Sequence, residues 1–288
     1  MAGFSVVNNL GAVNALNRLN ATQVGLGRTL GRLSSGLRIN SAADDASGLA
    51  IADSLRADVA ALNQAVRNAN DGSNIVQVAD GALAEISNLL QRAVALSEQA
   101  ASDTSGADSS SEKGALNSEF QSIVREINRI SDTVDFNGRV LFGSAGTTVD
   151  IQIGISGTVL NDVITVSTAS LDALGLGLSV TGTGQAVTTT ALNTKAGAQA
   201  EFAKIKTAID AISTRRGSLG SSLNRIQAAS SVISTQAQNL LGAEATIRDA
   251  DVASEIVNLT KFQVLQQTGL AALAQANTAS QSVLSLLR

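Results

Sequence analysis

Ala12, Leu16, Leu19, Gln23, Leu26, Leu30, Leu33 and Leu37 follow one another at alternating intervals of four and three. That is the heptad spacing of a helix with one apolar stripe. Gly25, Gly27 and Gly31 fall inside it, each lowering helix propensity by about 1 kcal/mol relative to alanine, so this helix is expected to be marginal alone. "RLSSGLRINSAADDASG" then replaces the period with Ser, Gly, Asn and Asp. It reads as an extended connector ending in a helix cap.

From about Asp45 the stripe resumes with Leu55, Val59, Leu62, Val66 and Ala69, then Val76, Ala79, Leu83, Ile86 and Leu90, predicting a long helix to about Ala101. "SDTSGADSSSEKG" is a turn. Leu116, Phe120, Ile123, Ile127, Ile130 and Val134 keep the four-three spacing and predict a second helix folding back on the first, ended by "FNGRVLFG". At Val149, Ile151, Ile153 and Ile155 the period changes to two, that of a half-buried strand, with "DVITVSTASL" as its hairpin partner.

Helix returns with Phe202, Ile205, Ile209, Ile212, Leu219, Leu223, Ile226, Ile233, Ala237 and Leu240, interrupted in frame by Arg216 and Ser230. A break is expected near Leu241 to Asp251. The last stripe holds Val252, Ile256, Leu259, Leu270, Leu273, Leu284 and Leu287, with Gln263, Gln266, Asn277 and Ser280 in the same frame. Polar residues at seam positions specify register and oligomeric state at a cost in stability.

The layout is palindromic, so the two ends are expected to meet. The fold class is mainly α: a long coiled-coil or antiparallel helical rod formed by both chain ends, with a small β-hairpin region in the middle. The few large aliphatics of the end helices fall short of the entropy lost in ordering them, so these ends are expected to order among neighbouring copies. The apolar C-terminus "QSVLSLLR" then reads as an assembly segment.

Composition narrows the chemistry. Apolar residues make up 44% of the 288 and aromatics only 2%, while proline is absent, as suits cores of Leu, Ile, Val and Ala in uninterrupted helices. With neither His nor Cys, the usual metal ligands, the neutral-pH general base and the thiol nucleophile are missing. Asp44-Asp45 reads as a cap or turn, and "VGLGRTLG" lacks the Gly-Lys-Ser/Thr of a phosphate loop. The chain is read as no enzyme and as having no cofactor. A net charge of −4 without basic runs argues against nucleic acid, and no apolar run reaches a membrane-spanning length.

"RLSSGLRINSAADDASGLAIADSLRADVAALNQAVRNANDGSNIVQVADGAL", "INRISDTVDFNGRVLF" and "LTKFQVLQQTGLAALAQANTASQSVLSLLR" resemble the two signature blocks of bacterial flagellins, over about residues 1 to 142 and 195 to 288. The resemblance implies an inner coiled-coil domain of residues 1–40 and 250–288 lining a filament channel. It implies a helical rod domain of 41–142 and 195–249, completed by a short β-hairpin and loop region at 143–194, without large outer domains. The inner-tube assembly seam would comprise Leu16, Leu19, Leu26, Leu30, Leu33, Ile256, Leu259, Leu270, Leu273, Leu284 and Leu287.

The implied function is that of a structural subunit polymerising into the extracellular flagellar filament for motility. Implied partners are further copies of the chain, an export chaperone, the flagellar type III export apparatus, and hook-associated and cap proteins, without nucleic acid or membrane insertion. A second implied role is as ligand of Toll-like receptor five, through Arg92, Leu96 and Gln99, spaced four and three apart, with Glu119. The alternatives are a hook-filament junction protein and a soluble coiled-coil binding module.

Overall fold

The computed structural model describes residues 9–143, 147–157, 162–168, 171, 173, 175–178 and 189–286, with side chains as far as Ala279. In chain order the long helices are α1 (Leu10–Ser35), α2 (Ala46–Ala101), α3 (Ser111–Thr133), α4 (Lys195–Arg248) and α5 (Val252–Leu286). Between α3 and α4 lie β1 (Asp135–Phe136), β2 (Arg139–Val140), β3 (Thr147–Gln152) and β4 (Val163–Thr168). The chain forms two compact units, Met1–Val59 with Gln238–Arg288, and Ala60–Ala237.

The second unit is organised by the stripes read from sequence. Leu62, Ala69, Val76, Leu83, Ile86 and Leu90 of α2 are buried, as are Phe120, Ile123 and Ile127 of α3 and Ile205, Ile212, Leu219, Ile226 and Ile233 of α4. The boundaries follow local chemistry. Asp45 Oδ1 accepts from the Gly48 amide ahead of α2, and Ser110 Oγ accepts from the Lys113 amide ahead of α3, each satisfying a free first-turn donor.

Strands β3 and β4 pair antiparallel from Thr147 opposite Thr168 to Gln152 opposite Val163. Val149, Ile151 and Ile153 point inward as the alternation predicts. The hairpin sits against α2 at Gly72, where an added Cβ would lie 2.3 Å from Ile151 Cδ1. Close by, Asn68 Nδ2 donates to the Gln152 carbonyl at 3.0 Å.

Polar residues on α3 fasten the segments that follow it. Asn117 Nδ2 and Gln121 Nε2 both donate to the Thr189 carbonyl, at 2.7 and 2.8 Å, and Asn117 Oδ1 accepts from the Leu192 amide. Asn128 Oδ1 accepts from the Ala173 amide at 2.8 Å. The Asn117 and Asn128 amides are buried yet paired, which is the condition for tolerating them inside a core.

Two expectations need correction. The break expected over Leu241 to Asp251 is confined to its last three residues, since the helix α4 runs to Arg248 and α5 begins at Val252. The apolar period fades because it reports where a helix is packed, whereas good helix formers such as Ala243, Glu244 and Ala245 let the helix continue beyond it. "FNGRVLFG" does more than stop α3, since β1 and β2 form a hairpin turning at Asn137 (φ 53°) and Gly138 (φ 76°). Asn-Gly is a strong tight-hairpin signal, so this one was legible. Part of the expected β and loop region, including 179–188, lies outside the described residues.

Candidate assembly surface on the terminal helices

Helices α1 and α5 pair antiparallel. Leu19 approaches Gly269, Gly25 faces Phe262, and Gly11 lies near Ala276. At the far end Asn9 Nδ2 donates to the Ala276 carbonyl at 3.0 Å. At the near end Arg32 Nη1 meets Glu255 Oε1 at 3.3 Å. As one residue number rises the other falls nearly in step, so a single register holds throughout.

The seam is not quite the one the heptads predict. On α1 the covered positions include Ala12, Ala15, Leu19, Thr22, Leu26, Thr29 and Leu33, and on α5 they include Glu255, Leu259, Phe262, Gln266, Gly269, Leu273 and Ala276. Every second rung matches the expected frame. The alternate rungs shift by one residue, to the small Ala15, Thr22, Thr29, Gly269 and Ala276, which let the helices approach, and to Glu255 and Phe262.

Of the expected seam residues, Leu19 is therefore buried, and Leu26, Leu33, Leu259 and Leu273 are partly covered. Leu16, Leu30, Ile256 and Leu270 face outward at 46, 48, 49 and 51% exposure. The side chains of Leu284 and Leu287 lie outside the described residues. Sequence reasoning missed the inward Ala15, Thr22, Thr29 and Gly269 because small and polar residues carry no hydrophobic signal, and Phe262 because it lies one residue outside the heptad frame. Searching for small residues that face a large one across the pair would have found Gly25 and Phe262.

Each helix thus carries more apolar surface than its partner covers. Leu10, Val13 and Val24 on α1 and Val257, Val264 and Leu265 on α5 are also exposed, at 44 to 68%. Ile256, Val257, Thr260, Val264 and Leu265 line a shallow hollow on α5. Covering such half-exposed aliphatics stabilises by about 1 kcal/mol each.

A clasp closes the junction end. The Arg38 amide donates to the Arg248 carbonyl at 2.6 Å and the Ala250 amide to the Gly36 carbonyl at 2.9 Å, around a bridge between Leu37 and Asp249. Gly36 ends α1 in the left-handed conformation, φ 74°. The Ser41 hydroxyl and amide donate to Asp44 Oδ2, and with the Asn40 amide and the nearby Arg32 charge they hold that carboxyl below its ordinary range. Arg248 Nη1 lies 3.5 Å from Asp53 Oδ1.

The four candidate receptor-contact residues lie on α2 and α3 of the second unit. Arg92 Nε donates to Glu119 Oε1 at 2.8 Å, and both side chains are exposed, as is Gln99. Leu96 requires correction: at 1% exposure it belongs to the core and presents nothing to a partner. Its place at the edge of the buried stripe, between Ala93 and Ala100, turns it inward.

Among the described residues no group of three or more His, Cys, Asp or Glu side chains could hold a metal ion. No described helix is long and apolar enough to cross a membrane.

Residues 6–147 match the family model of the bacterial flagellin N-terminal helical region, and residues 202–287 that of the C-terminal helical region. A flagellin of Halalkalibacterium halodurans is 37% identical over 281 residues, covering 98% of each chain. A flagellin of Bacillus subtilis is 34% identical over 98% of this chain and 99% of its own. The flagellar filament 33 kDa core protein of Treponema phagedenis is 35% identical with the same coverage. Among solved structures, a Bacillus cereus flagellin is 30% identical and matches 62% of this chain and 94% of its own, with a TM-score of 0.47.

Proposed function

From the premise that this chain belongs to the bacterial flagellin family, a family of structural proteins, we propose that it is the repeating subunit of an extracellular flagellar filament. The observation that carries the proposal is the apolar surface left uncovered on α1 and α5, with Leu16, Leu30, Ile256 and Leu270 at half exposure beside an already formed seam. Contiguous exposed apolar surface of this kind marks a site of association. In the filament these residues, with Leu19, Leu26, Leu33, Leu259, Leu273, Leu284 and Leu287, form an inner tube, residues 1–40 and 250–288 being its domain.

Removing residues 279–288 tests this directly. The truncated chain is expected to keep the helicity of the second unit and to lose elongation from filament seeds; normal filaments from it would refute the inner-tube assignment. Wild-type chains that form only short, capped assemblies would instead favour the hook-filament junction reading. Before assembly the same apolar surface calls for an export chaperone on the route through the type III apparatus, and growth then proceeds against hook-associated and cap proteins.

A second reading concerns Toll-like receptor five, and the exposed pair Arg92 and Glu119, with Gln99 on the same helix as Arg92, supports it. Here Leu96 acts from within, fixing the helix that presents Arg92 and Gln99. An Arg92→Ala, Glu119→Ala variant is expected to signal more weakly than wild type in receptor-bearing cells. Equal signalling would remove this role and leave the filament reading untouched.

A further inference from the structure

Asn137 is followed by Gly138 at the tip of the β1–β2 hairpin, and both residues are exposed. No other Asn-Gly pair occurs in the chain. Glycine has no Cβ, so its amide nitrogen can approach the preceding side chain closely. In a flexible chain that nitrogen attacks the asparagine side-chain carbonyl carbon. A bond forms between Gly138 N and Asn137 Cγ, the Cγ–Nδ2 bond breaks, and ammonia leaves with the proton that the backbone amide gave up. Water then opens the cyclic imide at either carbonyl, leaving aspartate or, with the backbone routed through Cβ, isoaspartate.

The folded hairpin opposes this reaction in two ways. Asn137 and Gly138 both stand in the left-handed region, φ 53° and 76°, as a two-residue turn between twisted strands requires. Ring closure needs the Asn137 backbone to rotate away from that conformation, and the pairing of Phe136 with Arg139 and of Asp135 with Val140 pins it. The nitrogen itself is also held, since the Gly138 amide donates to Asp135 Oδ2 at 2.9 Å. Attack requires that proton to depart. A neighbouring carboxylate both binds it and disfavours the negative charge that its loss would create.

The strand after the turn is poorly placed to absorb an added backbone atom. Arg139 Nη2 donates to the Thr148 carbonyl, Thr147 Oγ1 to the Val140 carbonyl at 3.0 Å, and Thr168 Oγ1 to the Leu141 carbonyl. The Leu141 amide donates to the Val134 carbonyl at 3.0 Å. Leu141 and Phe142 are each 1% exposed. An extra methylene in a two-residue turn shifts this register, and a shifted register displaces the buried side chains that it positions.

We propose that Asn137 is a deamidation site that the folded hairpin keeps closed, with Asp135 as the positioning residue that holds the Gly138 proton. A chain that lingers unfolded reacts at this peptide bond, and its isoaspartyl product is a substrate for a methyltransferase specific for the isoaspartyl carboxylate. Pairing of β1 with β2 closes the site.

The test follows the tryptic peptide of residues 130–139, in which Asn137 is the only amide side chain. Full-length wild type, Asp135→Ala, Asp135→Asn and Thr147→Val are held at neutral pH, both folded and in urea beyond the unfolding midpoint. Deamidation is read from the mass of that peptide, and isoaspartate from its methylation with labelled S-adenosylmethionine. In urea all four chains should react at one rate. Folded wild type should react at least about tenfold more slowly than its unfolded chain, and folded Asp135→Ala about tenfold faster than folded wild type, the rate equivalent of a hydrogen bond to a charged acceptor. Asp135→Asn keeps an acceptor oxygen without the charge and should fall between them. Thr147→Val loosens the strand after the turn but leaves Asp135 in place, so it should stay near wild type. Circular dichroism confirms folding, and if Asp135→Ala does not fold, Asp135→Asn carries the comparison.

Equal rates for folded and unfolded wild type would overturn the closed site, and an unreactive unfolded chain would remove the site altogether. Folded Asp135 variants that match wild type would overturn the role of Asp135, as would Thr147→Val accelerating as much as they do. Chains deamidated in urea and then refolded are expected to lose hydrogen-exchange protection over residues 139–142. Full protection there would refute the register shift.

Discussion

The ring of Phe262 occupies the space that a side chain at position 25 would need: a Cβ built on Gly25 would stand 2.7 Å from its Cε1 and Cζ atoms. Three glycines that look alike in sequence thereby separate. Gly25 is the slot that brings α1 and α5 together, whereas an added Cβ at Gly27 or Gly31 meets nothing within 4 Å.

Gly25→Ala is accordingly expected to displace Phe262 and loosen the pair. Gly27→Ala and Gly31→Ala should each strengthen α1 by about 1 kcal/mol, from helix propensity alone. Hydrogen exchange of residues 10–35 checks both, with protection falling in the first variant and rising in the other two.

The ion pair of Arg32 Nη1 and Glu255 Oε1 is partly shielded, and the buried Arg32 Nε and Glu255 Oε2 beside it make no hydrogen bond. Glu255→Gln should weaken the α1–α5 pairing by about 2 kcal/mol, in the range of a hydrogen bond to a charged group. Exchange protection concentrated at the junction end of α1 is where the loss should register.

Gly72 and Ile151 form a second close contact, 2.3 Å for an added Cβ. Gly72→Ala should destabilise the second unit by about 1–2 kcal/mol net, overpacking outweighing the gain in helix propensity. Ile151→Val, which shortens the opposing side chain, should recover part of that loss when combined with it. A double-mutant cycle in urea unfolding measures the coupling.

The turn between α2 and α3 should be acid-sensitive. Lys195 Nζ donates to Asp103 at 2.7 Å and Lys113 Nζ to Asp108 at 2.9 Å, and these bonds hold both carboxyls below their ordinary value of 3.8. A depressed folded pKa means that folding favours the ionised form. The stabilisation is thus complete above about pH 4 and is lost as pH falls through the folded values. Wild type should lose more urea resistance between pH 6 and pH 3 than Asp103→Asn with Asp108→Asn.

Arg92 and Leu96 lie one helical turn apart and should respond differently. Removing the exposed Arg92 to Glu119 pair with Arg92→Ala should cost no more than about 0.5 kcal/mol. Leu96→Ala empties a fully buried site and should cost about 2–5 kcal/mol. Thermal unfolding separates the two.

Much of the fold was written in the spacing of large aliphatics. The buried faces of α2, α3 and α4 are where the four-three period places them, and Val149, Ile151 and Ile153 follow the period of two, because a stripe several turns long has only one way to leave water. The period failed where burial stopped, at the continuation of α4 to Arg248. It was also silent about the polar side chains inside the second unit, Lys113, Asn117 and Asn128. Nothing in a sequence announces that Asp108, Thr189 and Ala173 will be there to receive them.

By itself the sequence determined the helices and the pairing of the chain ends, since composition and period are local and survive any arrangement of neighbours. Only the tertiary structure decided which side of each stripe faces inward. Helices approach most closely where side chains are small, so Ala15, Thr22 and Gly269 took the seam and left Leu16, Leu30 and Leu270 outside. That choice depends on how two surfaces fit each other, which neither helix encodes alone.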